Sequence, residues 1–236
     1  MTMEVLQSRQ QITEARRELV RKGVSFIDSP LRRFLRSVGR SNKVAIGDKL
    51  KSWDVQTTLS FIEKHLRKDA PILDIGCYAS EVLLALHRTG YSKLTGVDLN
   101  PRIRQMPYQT SIRYEVADFM ATNFEDGSFR AITAISVIEH GLRQSRLLRE
   151  IARLLEPKGF FAASFDYWPQ KVDTREMRLF GMDWTILSKE DVTHFLKEAE
   201  QHRLFPLGDL KQDGDKRVIR FAGKQYTFAW MVLQKR

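Results

Sequence analysis

Two short apolar runs, Ile72-Leu73-Asp74-Ile75-Gly76 and Gly96-Val97-Asp98-Leu99, each carry an aspartate, and one helix-length stretch separates them. Runs this short and this continuously apolar suit strands buried on both faces of a parallel sheet. Parallel neighbours cannot be joined by a hairpin and need a crossover, usually a helix. The same pattern continues along the chain. It predicts strands over 71–77, 93–99, 112–117, 130–137 and 160–165, with helices over 80–89 and 145–155, the second ending at Glu156-Pro157-Lys158-Gly159. A further helix is expected over 188–202, capped by Ser188, with closing strands over 204–210 and 226–233. Strand–helix alternation of this kind predicts an α/β fold built on a doubly wound, mostly parallel sheet. Ligands of such sheets bind at the carboxyl ends of the strands, and the residues just after each strand are where function is sought.

Those residues share one kind of chemistry. Asp98 ends the second strand, where a carboxylate accepts both ribose hydroxyls of an adenosine-type ligand. Gly76 lets the backbone approach that ligand closely. Asp118 follows the third strand and is placed to accept an adenine amino group, and the Phe119 ring to cover the base. The fourth strand runs into Ser136-Val137-Ile138-Glu139-His140, and the fifth into Asp166-Tyr167-Trp168.

Taken in order, these segments resemble the class I S-adenosylmethionine-dependent methyltransferases over residues 54–236. Asp74-Ile75-Gly76-Cys77 looks like the glycine-loop motif, Gly96-Val97-Asp98-Leu99 like the acidic ribose motif, and Asp118-Phe119 like the adenine motif. Residues 136–140 look like the segment after strand four, and 147–159 like the helix and Pro-Lys-Gly turn that follow. The resemblance implies a seven-stranded sheet with an antiparallel last strand. It also implies S-adenosylmethionine as cofactor, held by Asp74, Gly76, Cys77, Tyr78, Asp98, Leu99, Asp118, Phe119 and Ser136. One departure stands out: the family loop carries glycines where this chain has Tyr78 and Ser80. Left-handed backbone there would be costly, so the turn differs, the loop is wider, or cofactor binding is weakened. Because a sulfonium cofactor has no pyrophosphate to cradle, Ser80 is free to cap the next helix. The same departure argues against a nicotinamide dehydrogenase. Cys77 reads as a small packing residue more than as a nucleophile.

The methyl group of a sulfonium is already activated, so the protein must mainly align a nucleophile with it and exclude water. For a hydroxyl acceptor a base helps, and His140, Glu139 and Asp166 fall at strand ends facing that space. Trp53 reads either as a cover for the methionine end of the cofactor or as a core residue. The stretch 173–185, with Met177, Leu179, Phe180, Met182 and Trp184, reads as a lid after the fifth strand. Of 39 basic and 29 acidic residues, 12 and 5 fall in the first 51 positions. This divides the chain into a basic helical leader or lid, 1–51, and a methyltransferase domain, 52–236. Residues 3–22 read as a polar helix, and 30–40 as an amphipathic helix with one apolar and one cationic face. That second helix would pack on the domain, dock on an anionic membrane surface or grip a polyanion. No run of about 18 apolar residues suggests a membrane span. With the single Cys77 unable to form an internal disulfide, a cytoplasmic or membrane-peripheral protein is expected. The five histidines are scattered, so no metal is expected. The function expected is methyl transfer to a small-molecule, glycan or lipid-linked acceptor, at oxygen and with an anionic group on the acceptor. The alternatives are a catalytically silent methyltransferase-like scaffold and an RNA methyltransferase, although no nucleic-acid-binding module is evident.

Overall fold

The computed structural model describes residues 3–28, 44–141, 143–179 and 181–236, and the amphipathic segment 30–40 lies outside them. Strands β2 (Ile72–Ile75), β3 (Leu94–Asp98), β4 (Ile112–Val116), β5 (Phe129–Ile135) and β6 (Leu155–Tyr167) pair in parallel, in the order β6-β5-β2-β3-β4. Strand order reverses between β2 and β5. The long strand β11 (Lys224–Lys235) pairs antiparallel to β6, from Thr227 opposite Tyr167 to Gln234 opposite Phe160. The sheet is thus mostly parallel with one antiparallel strand near its edge, as the resemblance implies.

The seventh position is shared. Three short strands pair with β11 one after another: β10 (Ile219–Phe221) with Lys224–Tyr226 in a hairpin, β1 (Met3–Val5) with Ala229–Met231, and β9 (Leu204–Pro206) with Leu233–Lys235. This brings the sheet to nine strands. Residues 3–5, expected to be helical, are therefore sheet. Their alternating burial, with Met3 and Val5 inside and Glu4 partly out, is the pattern of an edge strand. The predicted strand over 160–165 begins earlier than expected. The preceding helix ends at Leu154, as expected before Glu156-Pro157-Lys158-Gly159, and these four residues make an irregularity inside β6, with Lys158 left-handed at φ +64 and the β5–β6 register shifting between Phe129 and Ala131.

Helices cover both faces, each presenting an apolar stripe to the sheet. One buried cluster draws on α1 (Arg9–Arg21), α2 (Ser52–His65) and α3 (Val82–Arg88). The other draws on α4 (Gln144–Leu154) and α5 (Lys189–Gln201). Helix α5 starts as expected, with a reciprocal capping box between Ser188 and Asp191. A second such box, Ser8 with Gln11, starts α1. Trp53 is buried in the first cluster, which gives it a core role.

Helix α1 is tied to the domain by an ion pair. Glu81, 1% exposed at the start of α3, accepts from Arg16 Nη1 at 2.9 Å and Nη2 at 2.6 Å and from the Phe26 amide at 2.8 Å. Arg16 also donates to Ser25 and Ser52. Removing the cation would leave a buried carboxylate with only a backbone donor. Arg16→Ala is therefore expected to destabilise the fold by about 3 kcal/mol or more, read as a lowered urea midpoint at unchanged slope.

Candidate active site

Two halves of a site meet at the carboxyl ends of β2, β3, β5 and β6. In the first, the loop after β2 turns at Gly76, whose φ is +66 and whose amide donates to the Val97 carbonyl at 2.8 Å. A Cβ at Gly76 would lie 2.6 Å from Val137 Cγ2. The second left-handed residue is Ala79, at φ +63, so the loop relieves Tyr78 and Ser80 of that conformation. The turn therefore differs from the expected pattern, with its second left-handed position at Ala79. The Ser80 hydroxyl accepts from the Val82 amide at 3.2 Å, at the start of α3.

Asp98 holds this loop. Its Oδ2 accepts from the Tyr78 amide at 2.9 Å and its Oδ1 from the Asn100 amide at 2.8 Å. A carboxylate has about four acceptor positions, so both oxygens keep capacity for a neighbouring pair of hydroxyls. Leu99, beside it, is 56% exposed, an apolar surface suited to a base. Asp118 accepts from the Met120 amide at 2.9 Å and lies 3.4 Å from Arg146 Nη2. The Ser136 hydroxyl is buried with no hydrogen-bond partner among the described residues, and Ser136 itself is left-handed at φ +55. Backbone approach at Gly76, spare acceptors on Asp98, the open Leu99 surface and the orphaned Ser136 hydroxyl together fit an adenosine-bearing ligand. Three other expected residues sit deeper. Asp74 is buried and accepts from Thr133 Oγ1 at 2.6 Å, bridging β2 to β5. Burial pushes its carboxyl up to about 7, against the pull of Thr133 and Ser80. Cys77 packs its sulfur against Gly96, and burial, with Asp74 and Asp98 adding, pushes its thiol well up, so it is inert packing. Phe119 belongs to the same buried cluster as Val97, Val137 and Leu147.

The second half gathers His140, Glu139 and Asp166 around two residues that sequence reasoning did not select, Lys51 and Asp54. Lys51 Nζ lies 3.4 Å from Asp166 Oδ1, 3.8 Å from Asp54 Oδ2 and 3.4 Å from the centre of the Phe228 ring. Burial would lower the lysine, but Asp166, Asp54 and Glu139 together hold it above its ordinary value. Asp166 Oδ2 also accepts from Trp184 Nε1 at 2.8 Å. Asp54 is fully buried, and burial raises it to about 7 against the pull of Lys51. Glu139 is 1% exposed, and neither carboxylate oxygen has a hydrogen-bond partner among the described residues. Burial first, and then the charge of Asp166, pushes it up to about 8. Burial lowers His140, which makes it a neutral imidazole near pH 7. The expected lid is a small hairpin, β7 (Arg178–Leu179) with β8 (Met182–Asp183), followed by Trp184, which is 1% exposed and plugs the site. The Thr185 amide pins it to the Glu139 carbonyl at 2.9 Å. Phe180 lies outside the described residues.

The comparisons with known proteins agree with this layout. Residues 73–163, the span from β2 into β6, match the family described as Methyltransferase domain. Over those residues the chain is similar to methyltransferase domains. A ubiquinone biosynthesis O-methyltransferase of Xanthomonas oryzae pv. oryzae is 30% identical over 97 residues, which are 38% of this chain and 40% of that protein. This chain thus spans less than half the length of that relative. Among solved structures, an S-adenosylmethionine-dependent methyltransferase of Methanosarcina mazei superposes with a TM-score of 0.56 at 19% identity, covering 74% of this chain and 96% of its own. The [4+2]-cyclase SpnF superposes with a TM-score of 0.61 at 14% identity, covering 99% and 98%. Likeness at such identities fixes the fold, and S-adenosylmethionine is the cofactor of this domain class. Among the described residues no group of His, Cys, Asp or Glu is placed to hold a metal, and no helix is long and apolar enough to cross a membrane.

Two outcomes follow from this geometry. Gly76→Ala forces a Cβ into a left-handed position against Val137 and is expected to cost about 2 kcal/mol or more, measured by denaturant titration. The raised acids set a pH dependence. Their unfolded values lie near 4, so between there and about 7 to 8 the folded state binds more protons and stability falls as pH rises. Glu139→Gln should flatten that fall most in its upper part, between pH 6 and 8 on the scale set by the Glu139 value, visible as a smaller drop in thermal midpoint.

Proposed function

We propose that this chain transfers the methyl group of S-adenosylmethionine to a hydroxyl oxygen of a small-molecule, glycan or lipid-linked acceptor. The observation that carries the reading is Glu139. It is a buried carboxyl with no hydrogen-bond partner among the described residues, poised at about 8, and it stands at the end of β5 next to the strand that leads into the Asp98 loop. A hydroxyl is a weak nucleophile and gains from a base tuned near the working pH. Asp98 would hold the ribose, Leu99 the base, and the loop at Gly76 the backbone side of the cofactor. The activated methyl is the chemistry the cofactor supplies. The chain's own part is to orient the acceptor, take its proton at Glu139 and keep water out with Trp184. Asp166, held by Lys51 and Trp184, fixes the charge beside that proton, and neutral His140 orients the acceptor. Relatives that match include a ubiquinone biosynthesis O-methyltransferase, eEF1A lysine methyltransferases and a sterol 24-C-methyltransferase, so the choice of oxygen rests on Glu139.

The reading is tested by calorimetry with S-adenosylhomocysteine. Asp98→Ala removes a charged acceptor and should weaken binding by about ten- to a hundredfold, a loss of about 1.5–3 kcal/mol, while the thermal midpoint reports whether the loop stays folded. Equal binding by both proteins would remove Asp98 from the ribose, and no binding by the wild type would end the methyl-transfer reading. With an acceptor in hand, Glu139→Gln should lower turnover by about 10²–10⁴ and abolish the limb of the pH profile near 8, with little change in cofactor affinity.

A further inference from the structure

A second concave feature opens at the same end of the sheet, beyond the β10–β11 hairpin. It is a groove of about 570 Å³, a volume within the range of small-molecule clefts, about 300–1,000 Å³. Two chain segments far apart in sequence form it: Gln7-Ser8-Arg9 at the start of α1, and 216–220, with Gln225 across the hairpin. Four of its nine lining residues are the cations Arg9, Lys216, Arg217 and Arg220, and no carboxylate is among them.

What distinguishes the groove is that its cations converge on one concave wall. Some other exposed cations are neutralised locally, such as Arg21 by Glu18, Lys22 by Glu63, Arg113 by Glu115, Lys171 by Asp191 and Arg175 by Asp173. None of the four groove cations takes part in an ion pair among the described residues. Two of them are nevertheless held in place. Arg217 lies 4.6 Å over the Trp168 ring, and Arg9 Nε donates to the Val218 carbonyl at 3.2 Å. The aspartates nearest in sequence, Asp213 and Asp215, engage Gln7 through backbone atoms, at 2.9 Å and 3.1 Å. The positive end of the thirteen-residue helix α1 opens onto the same space. Fixed, unneutralised guanidinium groups around a helix start are the chemistry that recognises phosphate.

The groove also adjoins the carboxylate cluster. Ile219, in its wall, pairs with Tyr226, the Tyr226 ring packs 5.7 Å from Trp184, and Trp184 donates to Asp166. One aromatic layer therefore separates the cationic wall from the site described above. We propose that this groove binds the phosphate or diphosphate group of the methyl acceptor, whose hydroxyl end reaches Glu139 by displacing the Trp184 side chain that closes the site. The choice of the acceptor as occupant rests on the methyl-transfer reading; the anion site itself does not. A soluble phosphate is favoured over a lipid surface because the cations line a concave wall, and the neighbouring exposed apolar side chain, Phe221, is turned edge-on to Trp184 at 5.9 Å.

The test titrates inorganic pyrophosphate into the full chain by calorimetry at low and high salt. Wild type should bind saturably, and salt should weaken the binding. Arg217→Gln/Arg220→Gln should bind at least about tenfold more weakly, and so should Lys216→Gln/Arg220→Gln, which spares the stacking on Trp168. Both variants should keep the wild-type thermal midpoint and S-adenosylhomocysteine affinity. No saturable binding by wild type, or equal binding by both variants, would overturn the proposal. Capture on phosphatidylglycerol vesicles that the variants lose and pyrophosphate does not compete for would overturn it in favour of a membrane surface. Pyrophosphate binding without any S-adenosylhomocysteine binding would uphold the anion site while ending the methyl-transfer reading.

Discussion

The Lys51 ammonium sits among three buried carboxylates, Asp54, Glu139 and Asp166, which come from α2, the loop after β5 and the end of β6. Several buried negative charges in so small a volume would repel one another and lose their hydration. A single lysine cannot neutralise them all. Burial leaves Glu139 and Asp54 the readier to hold protons, while Asp166 accepts from the ammonium and from Trp184. The charge balance of the cluster thus follows from the position of one cation. The same residue joins two parts of the chain that composition separates. Lys51 belongs to the basic first fifty-one residues by sequence, yet its charge is spent inside the site.

Much of the architecture was legible because burial on both faces leaves a plain mark. Strands β2, β3 and β5 are short, mostly apolar runs bounded by turn residues, and the predicted limits fall within two residues of those observed. The positions of Asp98 and Gly76 at strand ends were legible for the same reason, since they stop such runs. What escaped the sequence depends on long-range pairing. Three residues in β1 and three in β10 are too short to show a period, and each becomes a strand only because β11 offers it a partner. Lys51 and Asp54 escaped for another reason. One was a cation among many in the leader, and the other reads as an ordinary acid in the first turn of a helix, where the dipole favours it. Nothing in their spacing says that α2 turns both toward Asp166.

The glycine-poor loop shows how a motif can change letters and keep its physics. The requirement is a chain reversal close to the ligand, with one amide directed at the acidic residue of the next strand. Here Gly76 and Ala79 supply the left-handed turns, and the Tyr78 amide meets Asp98. Ala79 bears a conformational cost that a glycine would not, and neighbouring contacts offset it: its amide lies 3.4 Å from Met106 Sδ and its carbonyl accepts from Gly47 at 2.8 Å.

The shared seventh position of the sheet has a consequence for biosynthesis. β1 leaves the ribosome first and pairs with Ala229–Met231, near the other end of the chain. At ordinary elongation rates of about 5–20 residues per second, Met3–Val5 wait roughly ten to forty seconds for the strand that will hold them. The parallel strands β2 to β6 can assemble before that, but β6 waits with its outer edge bare until β11 arrives. An unpaired edge of such length is the surface on which nascent chains associate with one another. Dividing the far side of β11 among three short pieces leaves the finished sheet with no comparable edge on that side, so the exposure ends when the last strand docks.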